Sequence, residues 1–284
     1  MKILVLGASG MLGSTMIRVL SEQADWKVYG TVRSESNKRY FSEHIAEKLI
    51  SGVDVEQIDS LMKVFASTRP DVVINCVGLI KQLANAEDPL QAIPINSMLP
   101  HRLARICELY GARMVHMSTD CVFAGDKGGY AESDLSDAKD LYGKTKYLGE
   151  VAYPHTITLR TSIIGHELHS AHGLVEWFLL QHERCKGYTR TIFSGLPTVV
   201  LSQIIRDILI PRADLHGVYH VAARPISKYD LLKLIADIYG KAIEITPDDQ
   251  VVNDRSLNAD RFSLATDYVA PGWSDLVRSM HAFR

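Results

Sequence analysis

The sequence contains little cysteine. Only 4 of its 284 residues are cysteines, and no two of them have the CxxC spacing of a thiolate metal site. We therefore expect reduced thiols and no disulfide framework. Three histidines, His166, His169 and His172, recur at every third position, but the small and polar residues between them are typical of a loop, so no metal site is predicted.

The chain also lacks an excess of charge of either sign and lacks a long apolar run. It has 31 Lys and Arg residues against 33 Asp and Glu residues, mixed along its length. This balance argues against nucleic acid and against a membrane surface as partners. No segment is long and apolar enough to span a bilayer, and Met1 leads directly into a strand-like segment, which leaves no room for a signal peptide. We therefore expect a cytoplasmic protein with a small-molecule ligand.

What the sequence does contain is a regular alternation of two kinds of segment. Short apolar runs, typical of buried parallel strands, occur at 3–6, 27–32, 72–77, 113–118 and 156–163. Amphipathic segments such as 58–67 and 99–109 separate them. The alternation predicts an α/β fold with a doubly wound parallel Rossmann sheet, in which the carboxyl ends of the strands share one crevice.

The first of these strands is followed at once by three glycines. Gly7, Gly10 and Gly13 are spaced three apart, as GxxGxxG, between the strand and a helix-like segment. Such glycines permit the turn, the close approach of a pyrophosphate and the packing of the helix on the strand. We predict a dinucleotide site here, because the amino terminus of the helix offers free N–H groups. An ordinary strand-to-helix turn is the alternative.

The end of the second strand bears on the choice of cofactor. An NAD enzyme usually offers a carboxylate there, but residues 29–34 read Tyr-Gly-Thr-Val-Arg-Ser. Arg33 and Ser34 could instead bind a 2′-phosphate, so NADPH is predicted in preference to NADH. The alternative is that Arg33 is a solvated surface side chain.

Tyr142 and Lys146 form a candidate catalytic pair. Four residues apart, they share one face of a helix. A nearby ammonium lowers the pKa of a phenol, so the tyrosine could give a proton to a carbonyl oxygen while hydride reaches the carbon. The strand 113–118 ends with Ser118, followed by Thr119 and Asp120, and a hydroxyl there could bind the same oxygen. A YxxxK match can also occur by chance.

Seven ordered segments carry a resemblance to a known family. They are 7–13 (GASGMLG), 70–78 (PDVVINCVG), 86–104 (AEDPLQAIPINSMLPHRLA), 118–123 (STDCVF), 142–150 (YGKTKYLGE), 159–165 (LRTSIIG) and 195–198 (GLPT). In these segments the chain resembles the extended short-chain dehydrogenases/reductases of the dTDP-4-dehydrorhamnose reductase type, over most of its length. The resemblance implies reduction by NADPH of the C4 ketone of a nucleotide-activated 4-keto-6-deoxy sugar.

The resemblance also implies roles for individual residues. Thr119 would bind the ketone, Tyr142 would be the general acid, and Lys146 would tune Tyr142 and hold the nicotinamide ribose. Asn96 would support the lysine through water, the alternative being a polar side chain facing solvent. Arg160 to Ser162 would lie beside the nicotinamide. The implied cofactor contacts are Gly7, Ser9, Gly10, Met11, Leu12, Gly13, Arg33, Ser34, Asp54, Val55, Cys76, Val77, Gly78, Ser118, Tyr142, Lys146, Thr161 and Ser162, with Asp54 and Val55 near the adenine.

Substrate contacts are predicted from the same resemblance and from the less regular second half. They are Lys81, Thr119, Asp120, Cys121, His172, Trp177 and Arg255. Arg255 resembles the late arginine that contacts the diphosphate, and Lys81 would face phosphate, sugar hydroxyls or solvent. Trp177, Tyr188 and Phe193 could stack on a nucleobase, although core packing is the favoured interpretation of these aromatic residues.

The predicted organisation has two lobes. Residues 1–165 would form the NADP-binding Rossmann domain, with 191–222 returning to it, and residues 166–190 and 223–284 would form a smaller carboxyl-terminal substrate-binding lobe. A helix is predicted over 174–183. By the resemblance, a homodimer would form through the helices near 99–109 and 142–151.

Two other functions stay open. Cys121 stands where the rhamnose-type reductases more often carry tyrosine, and a cysteine there is similar to the GDP-fucose synthases, in which a histidine completes an acid/base pair. Cys121 with His172 would make this chain a bifunctional epimerase/reductase. The other possibility is a non-catalytic NADP-binding regulatory subunit, since such proteins share the fold.

Overall fold

A computed structural model describes residues 1–80 and 87–284, so Lys81, a predicted substrate contact, lies outside the described residues. The strands are β1 (Lys2–Leu6), β2 (Lys27–Thr31), β3 (Leu49–Ile50), β4 (Val72–Asn75), β5 (Arg113–Thr119), β6 (Thr156–Thr161), β7 (Ile163–Ile164), β8 (Arg184–Tyr188), β9 (Thr191–Phe193), β10 (Leu196–Pro197), β11 (Gly217–His220), β12 (Ile226–Ser227), β13 (Glu244–Asp248) and β14 (Asn253–Asp254).

The helices are α1 (Met11–Leu20), α2 (Glu43–Ala46), α3 (Ile58–Thr68), α4 (Pro89–Ala92), α5 (Leu99–Tyr110), α6 (Leu141–Leu148), α7 (Leu174–Leu180), α8 (Thr198–Ile204), α9 (Lys228–Ile238), α10 (Asp260–Thr266) and α11 (Trp273–Ala282). Short 3-10 helices cover Glu35–Tyr40 and Asp120–Val122, and π-helical turns cover Ile93–Met98 and Ile205–Leu209.

Seven parallel strands form the main sheet, in the order β11-β6-β5-β4-β1-β2-β3. This arrangement confirms the predicted doubly wound α/β fold. The strand order reverses on either side of β1, and a ligand crevice is expected at such a switch point. Strand β11 joins β6 at the edge, as predicted for the segment near residue 217.

Successive side chains of β1 belong alternately to two hydrophobic cores, one on each face of the sheet. Ile3 and Val5 belong to one core, with the apolar side chains of α1 and α8. Leu4 and Leu6 belong to the other, with those of α3 and α5. All four are fully buried, which confirms that the continuous apolar run is a central strand with a helix layer on each side.

A third core lies in the second half of the chain, where α7, α9 and α11 pack together with Phe193. The predicted helix over 174–183 ends earlier, at Leu180, and 184–188 form strand β8, paired in parallel with β13. The helix is thus present with a different end, and strand β8 was not predicted, because Arg184–Tyr188 is too polar to show strand periodicity. The division of the chain into lobes stays a prediction.

The long apolar run at 156–163 is interrupted at Ser162. Its carbonyl oxygen accepts a hydrogen bond from the backbone N–H of Leu196 at 2.8 Å. An ideal Cβ on Gly195 would lie 2.1 Å from the same oxygen, so only glycine permits this approach. The chain therefore leaves the main sheet after Thr161, and β7 pairs with β10 instead.

In the part of the chain that the structure describes, none of the helices is long and apolar enough to cross a bilayer.

Candidate active site

The carboxyl ends of β1, β4, β5 and β6 lie side by side. These strands are neighbours in the sheet and all run in the same direction, so Gly7, Cys76, Thr119 and Thr161, which end or follow them, share one edge. Thr119 and Thr161 are directly paired in register. The polar residues predicted at the strand ends are thus brought to one crevice.

The glycine turn has the geometry of a dinucleotide site. Gly7 has φ +81°, a conformation that favours glycine, and an ideal Cβ on Gly13 would lie 2.1 Å from the carbonyl oxygen of Gly7. Gly10, by contrast, is exposed at the N-cap of α1. Among the described residues, no side chain caps this helix start, so its first N–H groups point to the crevice. Ser9, Met11 and Leu12 complete the turn.

At the end of β2, Arg33 and Ser34 are exposed, and Ser34 caps the 3-10 helix over Glu35–Tyr40. Glu35 is the first carboxylate after the strand. It is held by Lys38 at 2.9 Å and by the hydroxyl of Ser51, which together lower its pKa. Its oxygens are therefore already occupied by neighbouring donors. Asp54 and Val55 follow β3, with Asp54 exposed.

The hydroxyl of Thr119 donates to Oδ1 of Asp120 at 3.1 Å and accepts from the N–H of Cys121 at 3.1 Å. Burial raises the pKa of Tyr142, the charges of Cys121, Asp120 and Asp140 raise it further, and the nearby hydroxyl of Thr119 lowers it. The phenol is therefore protonated across the neutral range, which is the form a proton donor requires. The raised pKa is opposite to the expectation that Lys146 lowers it.

Lys146 is buried on α6, the helix that also carries Tyr142. Its Nζ lies 2.6 Å from the carbonyl oxygen of Met117 in β5. Burial lowers its pKa to about 8, and the nearby Glu150 and Cys76 oppose that shift. Gly78 borders the ammonium group, since an ideal Cβ there would lie 3.9 Å from Nζ. Lys146 therefore lies between β5 and the segment after β4, where Cys76, Val77 and Gly78 were predicted to contact the cofactor.

Asn96 joins the same segment to helix α6. Its Oδ1 accepts from the N–H of Leu79 at 2.8 Å, and its Nδ2 donates to the carbonyl oxygen of Leu79 at 3.1 Å and to the hydroxyl of Thr145 at 3.3 Å. Asn96 is 1% exposed, which rules out the solvent-facing alternative. It positions α6 through direct contacts, and a route to Lys146 through water stays a prediction.

The start of α6 packs closely on the loop after β5. An ideal Cβ on Gly143 would lie 2.1 Å from the carbonyl oxygen of Cys121, so a larger residue would push the helix away. On the other side of Cys121, Arg255 donates from NH1 to Sγ at 3.7 Å and from Nε to the carbonyl oxygen of Phe123 at 2.7 Å. Arg255 is thereby brought, from far along the chain, beside Cys121 and Tyr142.

The guanidinium of Arg160 is buried and forms a two-pronged ion pair with Glu150, at 2.8 Å from each oxygen. The place of the backbone of 160–162 beside a nicotinamide stays a prediction. Ser118, a predicted cofactor contact, also directs its hydroxyl to Glu150 at 2.7 Å. Sequence reasoning missed Glu150 because its partners lie 10 and 32 residues away. Thr161 and Ser162 do reach the crevice edge at the end of β6.

The loop between β7 and α7 approaches the glycine turn. An ideal Cβ on Gly173 would lie 2.5 Å from the methyl carbon of Met11. His172, next to it, is exposed. His166 instead binds Glu176 at 2.6 Å, and His169 stacks on Tyr40, so these two histidines have different partners.

No cluster of three or more metal-binding side chains was found in residues 1–80 and 87–284.

The aromatic residues considered for stacking on a nucleobase differ in their burial. Phe193 is buried and packs on Trp273, as expected for a core residue. Trp177, however, is 38% exposed, which contradicts core packing. It lines a cavity of about 200 Å³ together with Tyr188, two leucines, Lys186 and Lys228. Trp177 and Tyr188 are available to a ligand in that cavity.

Comparison with known proteins identifies relatives of the chain. A family model described as the RmlD substrate binding domain matches residues 1–261. The dTDP-4-dehydrorhamnose reductase of Aggregatibacter actinomycetemcomitans is 26% identical over 259 residues, which cover 87% of this chain and 82% of that protein. Methionine adenosyltransferase 2 subunit beta of Xenopus laevis is 24% identical over 251 residues, covering 83% of this chain and 71% of that protein.

A solved structure shares the whole fold. The dTDP-4-dehydrorhamnose reductase of Bacillus anthracis str. Ames, in complex with NADP, has 21% sequence identity and a TM-score of 0.80, with 100% of this chain and 99% of that chain covered. At this identity the similarity establishes the architecture alone.

Proposed function

Because the chain belongs to the RmlD substrate binding domain family, we propose that it catalyses the NADPH-dependent reduction of the C4 ketone of a nucleotide-activated 4-keto-6-deoxy sugar. One observation carries the proposal. Thr119, Tyr142 and the buried Lys146 ammonium lie at the sheet edge that also holds the glycine turn, and the Thr119 hydroxyl is near enough to the phenol to lower its pKa.

The side chains divide the work of protonating the ketone oxygen. Tyr142 carries a proton that its raised pKa retains until an acceptor arrives, and Thr119 orients that acceptor by a second hydrogen bond. Lys146 supplies a positive charge that stabilises the tyrosinate left behind. The bound nicotinamide supplies the hydride that reaches C4.

Three features support NADPH as the cofactor. Arg33 and Ser34 are exposed where the 2′-phosphate of NADP would lie, and Glu35 is held by Lys38 and Ser51 and so does not compete for ribose hydroxyls. The uncapped start of α1 fits the diphosphate, and exposed Gly10 leaves room for it. The relative from Bacillus anthracis was solved with NADP.

Two sites suit the nucleotide part of the substrate. Arg255 has a guanidinium at the rim of the crevice, beside Cys121, and could bind the diphosphate by a fork of two hydrogen bonds. The cavity lined by Trp177 and Tyr188 has aromatic walls that could stack on the base, with Lys186 and Lys228 at its edge. His172, Asp120 and Lys81 remain predicted substrate contacts. The homodimer and the cytoplasmic location are also parts of this proposal.

The test is a panel of nucleotide-activated 4-keto-6-deoxy sugars incubated with the protein and NADPH, with oxidation of NADPH followed by its ultraviolet absorbance. We expect oxidation with at least one sugar, in a 1:1 ratio to reduced product. Tight binding of NADPH without its oxidation on any member of the panel would contradict the reductase activity.

A second candidate is epimerisation before reduction, and the position of Cys121 favours it. Its thiol lies close enough to Tyr142 to raise the pKa of that phenol, so it borders the place where the sugar ring would bind. Its predicted partner His172 is exposed on the loop that packs against Met11. Incorporation of solvent deuterium at carbon 3 or 5 of the sugar during turnover would support epimerisation, and retention of all ring protons would exclude it.

A non-catalytic regulatory role is the third candidate, since methionine adenosyltransferase 2 subunit beta is also a relative. The presence of Thr119, Tyr142 and Lys146 together argues against it, because binding a cofactor does not require all three. The same panel of sugars separates this candidate from the reductase.

A further inference from the structure

We propose that Glu150 is a positioning residue for the reduction: its carboxylate fastens helix α6 to the ends of β5 and β6 and provides the counter-charge for Lys146. The inference rests on the proposed function, because it assigns a role in that reaction. Glu150 was not among the residues that the sequence singled out, and its side chain is 7% exposed.

The contacts of Glu150 join the segment just after α6 to two strands. Oε1 accepts from the hydroxyl of Ser118 at 2.7 Å and from Nε of Arg160 at 2.8 Å, and Oε2 accepts from NH2 of Arg160 at 2.8 Å. Ser118 and Arg160 face each other in the register of β5 and β6, immediately before Thr119 and Thr161. One carboxylate therefore fixes where α6 lies relative to the strand ends of the crevice.

The partner Arg160 is itself held on its far side. Its NH1 donates to Nε2 of His220 in β11 at 3.3 Å, and His220 donates from Nδ1 to the carbonyl oxygen of Tyr130 at 3.0 Å. Burial and the charge of Arg160 lower the pKa of His220, so the ring is neutral and can accept this bond. The guanidinium also lies over the ring of Phe123, 5.3 Å from its centre. Glu150 is thus presented with a donor whose orientation is fixed.

Glu150 follows the end of α6, four residues after Lys146, and its charge acts on the Lys146 ammonium. The other groups that face Lys146 are the thiol of Cys76 after β4, the imidazole of His116 in β5 and the carbonyl oxygen of Met117. Burial raises the pKa of Cys76 to about 12 and lowers that of His116 well below its usual range, so both are neutral at neutral pH. Of these groups, Glu150 carries the negative charge that opposes the effect of burial on Lys146.

The decisive variant is Glu150→Gln, which keeps the shape of the side chain and removes its charge. Without that charge, Lys146 should lose its proton about one pH unit lower than in the unmodified protein. The alkaline limb of the pH profile of kcat/KM for NADPH oxidation should move down by the same amount, so that the substitution lowers kcat/KM about tenfold at pH 9 but only about twofold at pH 7. A residue that only supported the fold would lower activity equally at all pH values.

Two further variants keep the proposal testable if Glu150→Gln does not fold. Glu150→Gln leaves Arg160 buried without a counter-ion, which can prevent folding. The double variant Glu150→Gln/Arg160→Gln removes both charges, so the midpoint of its alkaline limb should also move down, but by less, because the loss of the cation offsets part of the loss of the anion. Ser118→Ala removes one hydrogen bond and no charge, and should lower kcat without moving the limb. The matched control is Glu22→Gln. Glu22 is exposed just after the end of α1 and forms an ion pair with Arg206, and its substitution should change neither kcat nor the position of the alkaline limb.

A second readout does not depend on turnover. The titration of Lys146 is followed by NMR of the 13C-labelled Lys146 Cε in the protein without cofactor or substrate, with Lys146→Arg used for assignment. A lower titration midpoint in the two Gln variants supports the proposal, and an unchanged midpoint together with an unmoved kcat/KM profile overturns it. Lack of turnover of every sugar by the unmodified protein would overturn the proposed function, while the NMR result would still decide whether Glu150 and Lys146 are coupled.

Discussion

Gly13 is in such close contact with Gly7 that an ideal Cβ on Gly13 would lie 2.1 Å from the carbonyl oxygen of Gly7. The same oxygen would be 3.5 Å from a Cβ on Gly10, which is an ordinary contact distance. Two glycines of one motif therefore serve different purposes. Gly13 is required by the fold, because the helix packs on the strand there, whereas the described contacts leave room for a side chain at Gly10, whose proposed role is to admit the pyrophosphate.

The first prediction follows from that difference. Gly13→Ala should lower the free energy of unfolding by about 1–3 kcal/mol, since backbone atoms must move to admit the methyl group. Gly10→Ala should leave stability within about 0.5 kcal/mol but weaken NADPH binding about tenfold or more, because the methyl group occupies the approach of the pyrophosphate. Urea denaturation and a fluorescence titration with NADPH measure the two effects. Equal destabilisation by both substitutions would contradict this division.

The second prediction concerns the proton donor. Tyr142→Phe should lower kcat by a factor of about 100–10,000, because the ketone oxygen loses its acid, while the Kd for NADPH changes little. Tyr147→Phe is the matched control, since Tyr147 is exposed on the same helix and should retain full activity. Full turnover in Tyr142→Phe would remove Tyr142 from the mechanism.

The third prediction is a pH dependence. Lys146 has its pKa lowered to about 8, so its ammonium form prevails below that pH and is lost above it. If the ammonium is needed, kcat/KM falls about tenfold per pH unit above pH 8. Lys146→Arg should abolish this limb, because a guanidinium stays charged, whereas Lys144→Arg on the exposed face of α6 should leave the limb in place. A profile that is flat to pH 10 in the unmodified protein would argue against the role of Lys146.

The titration of Lys146 should also affect the free energy of unfolding, in the direction opposite to its effect on activity. In the unfolded chain a lysine titrates near its usual pKa of 10.5, so between pH 8 and that value the unfolded state binds the extra proton. The contribution of Lys146 to the free energy of unfolding therefore rises with pH over this window, as activity falls. Chemical denaturation at pH 8 and pH 10, compared between the unmodified protein and Lys146→Met, measures it.

The fourth prediction concerns cofactor choice. Arg33→Ala should raise the Kd for NADPH about tenfold or more, through loss of a charged hydrogen bond to the 2′-phosphate, and leave the Kd for NADH unchanged. Stability should be unaffected because Arg33 is exposed. Arg278→Ala serves as the control for loss of one positive charge, because Arg278 is an exposed residue of α11. Equal weakening of both cofactors would show that Arg33 does not discriminate between them.

The sheet could be predicted from the sequence because its signal is local. The apolar runs at 3–6 and 113–118 show strands, and the spacing of Gly7, Gly10 and Gly13 shows the turn, from residues that are neighbours in the chain. Tyr142 and Lys146 were found for the same reason, since a helix places residues four apart on one face.

What escaped prediction depends on residues that are distant in the chain. Nothing near Arg160 indicates that it pairs with Glu150 and touches His220, 60 residues later. The contact of Arg255 with Cys121 spans 134 residues. The π-helical turns at Ile93–Met98, which place Asn96 against Leu79, likewise have no periodic signature of their own. Burial and charge pairing of this kind are known only once the chain is folded.

Strand β11 has one further consequence, for the order in which the protein is assembled. It is made from residues 217–220, yet it completes the edge of the sheet beside β6 and supplies His220 to Arg160. Until that segment has been synthesised, β6 presents an open row of backbone donors and acceptors, which other chains can pair with. The nascent chain thus passes through an aggregation-prone interval of more than fifty residues, so chaperone dependence and expression temperature should matter more for its yield than the stability of the finished fold suggests.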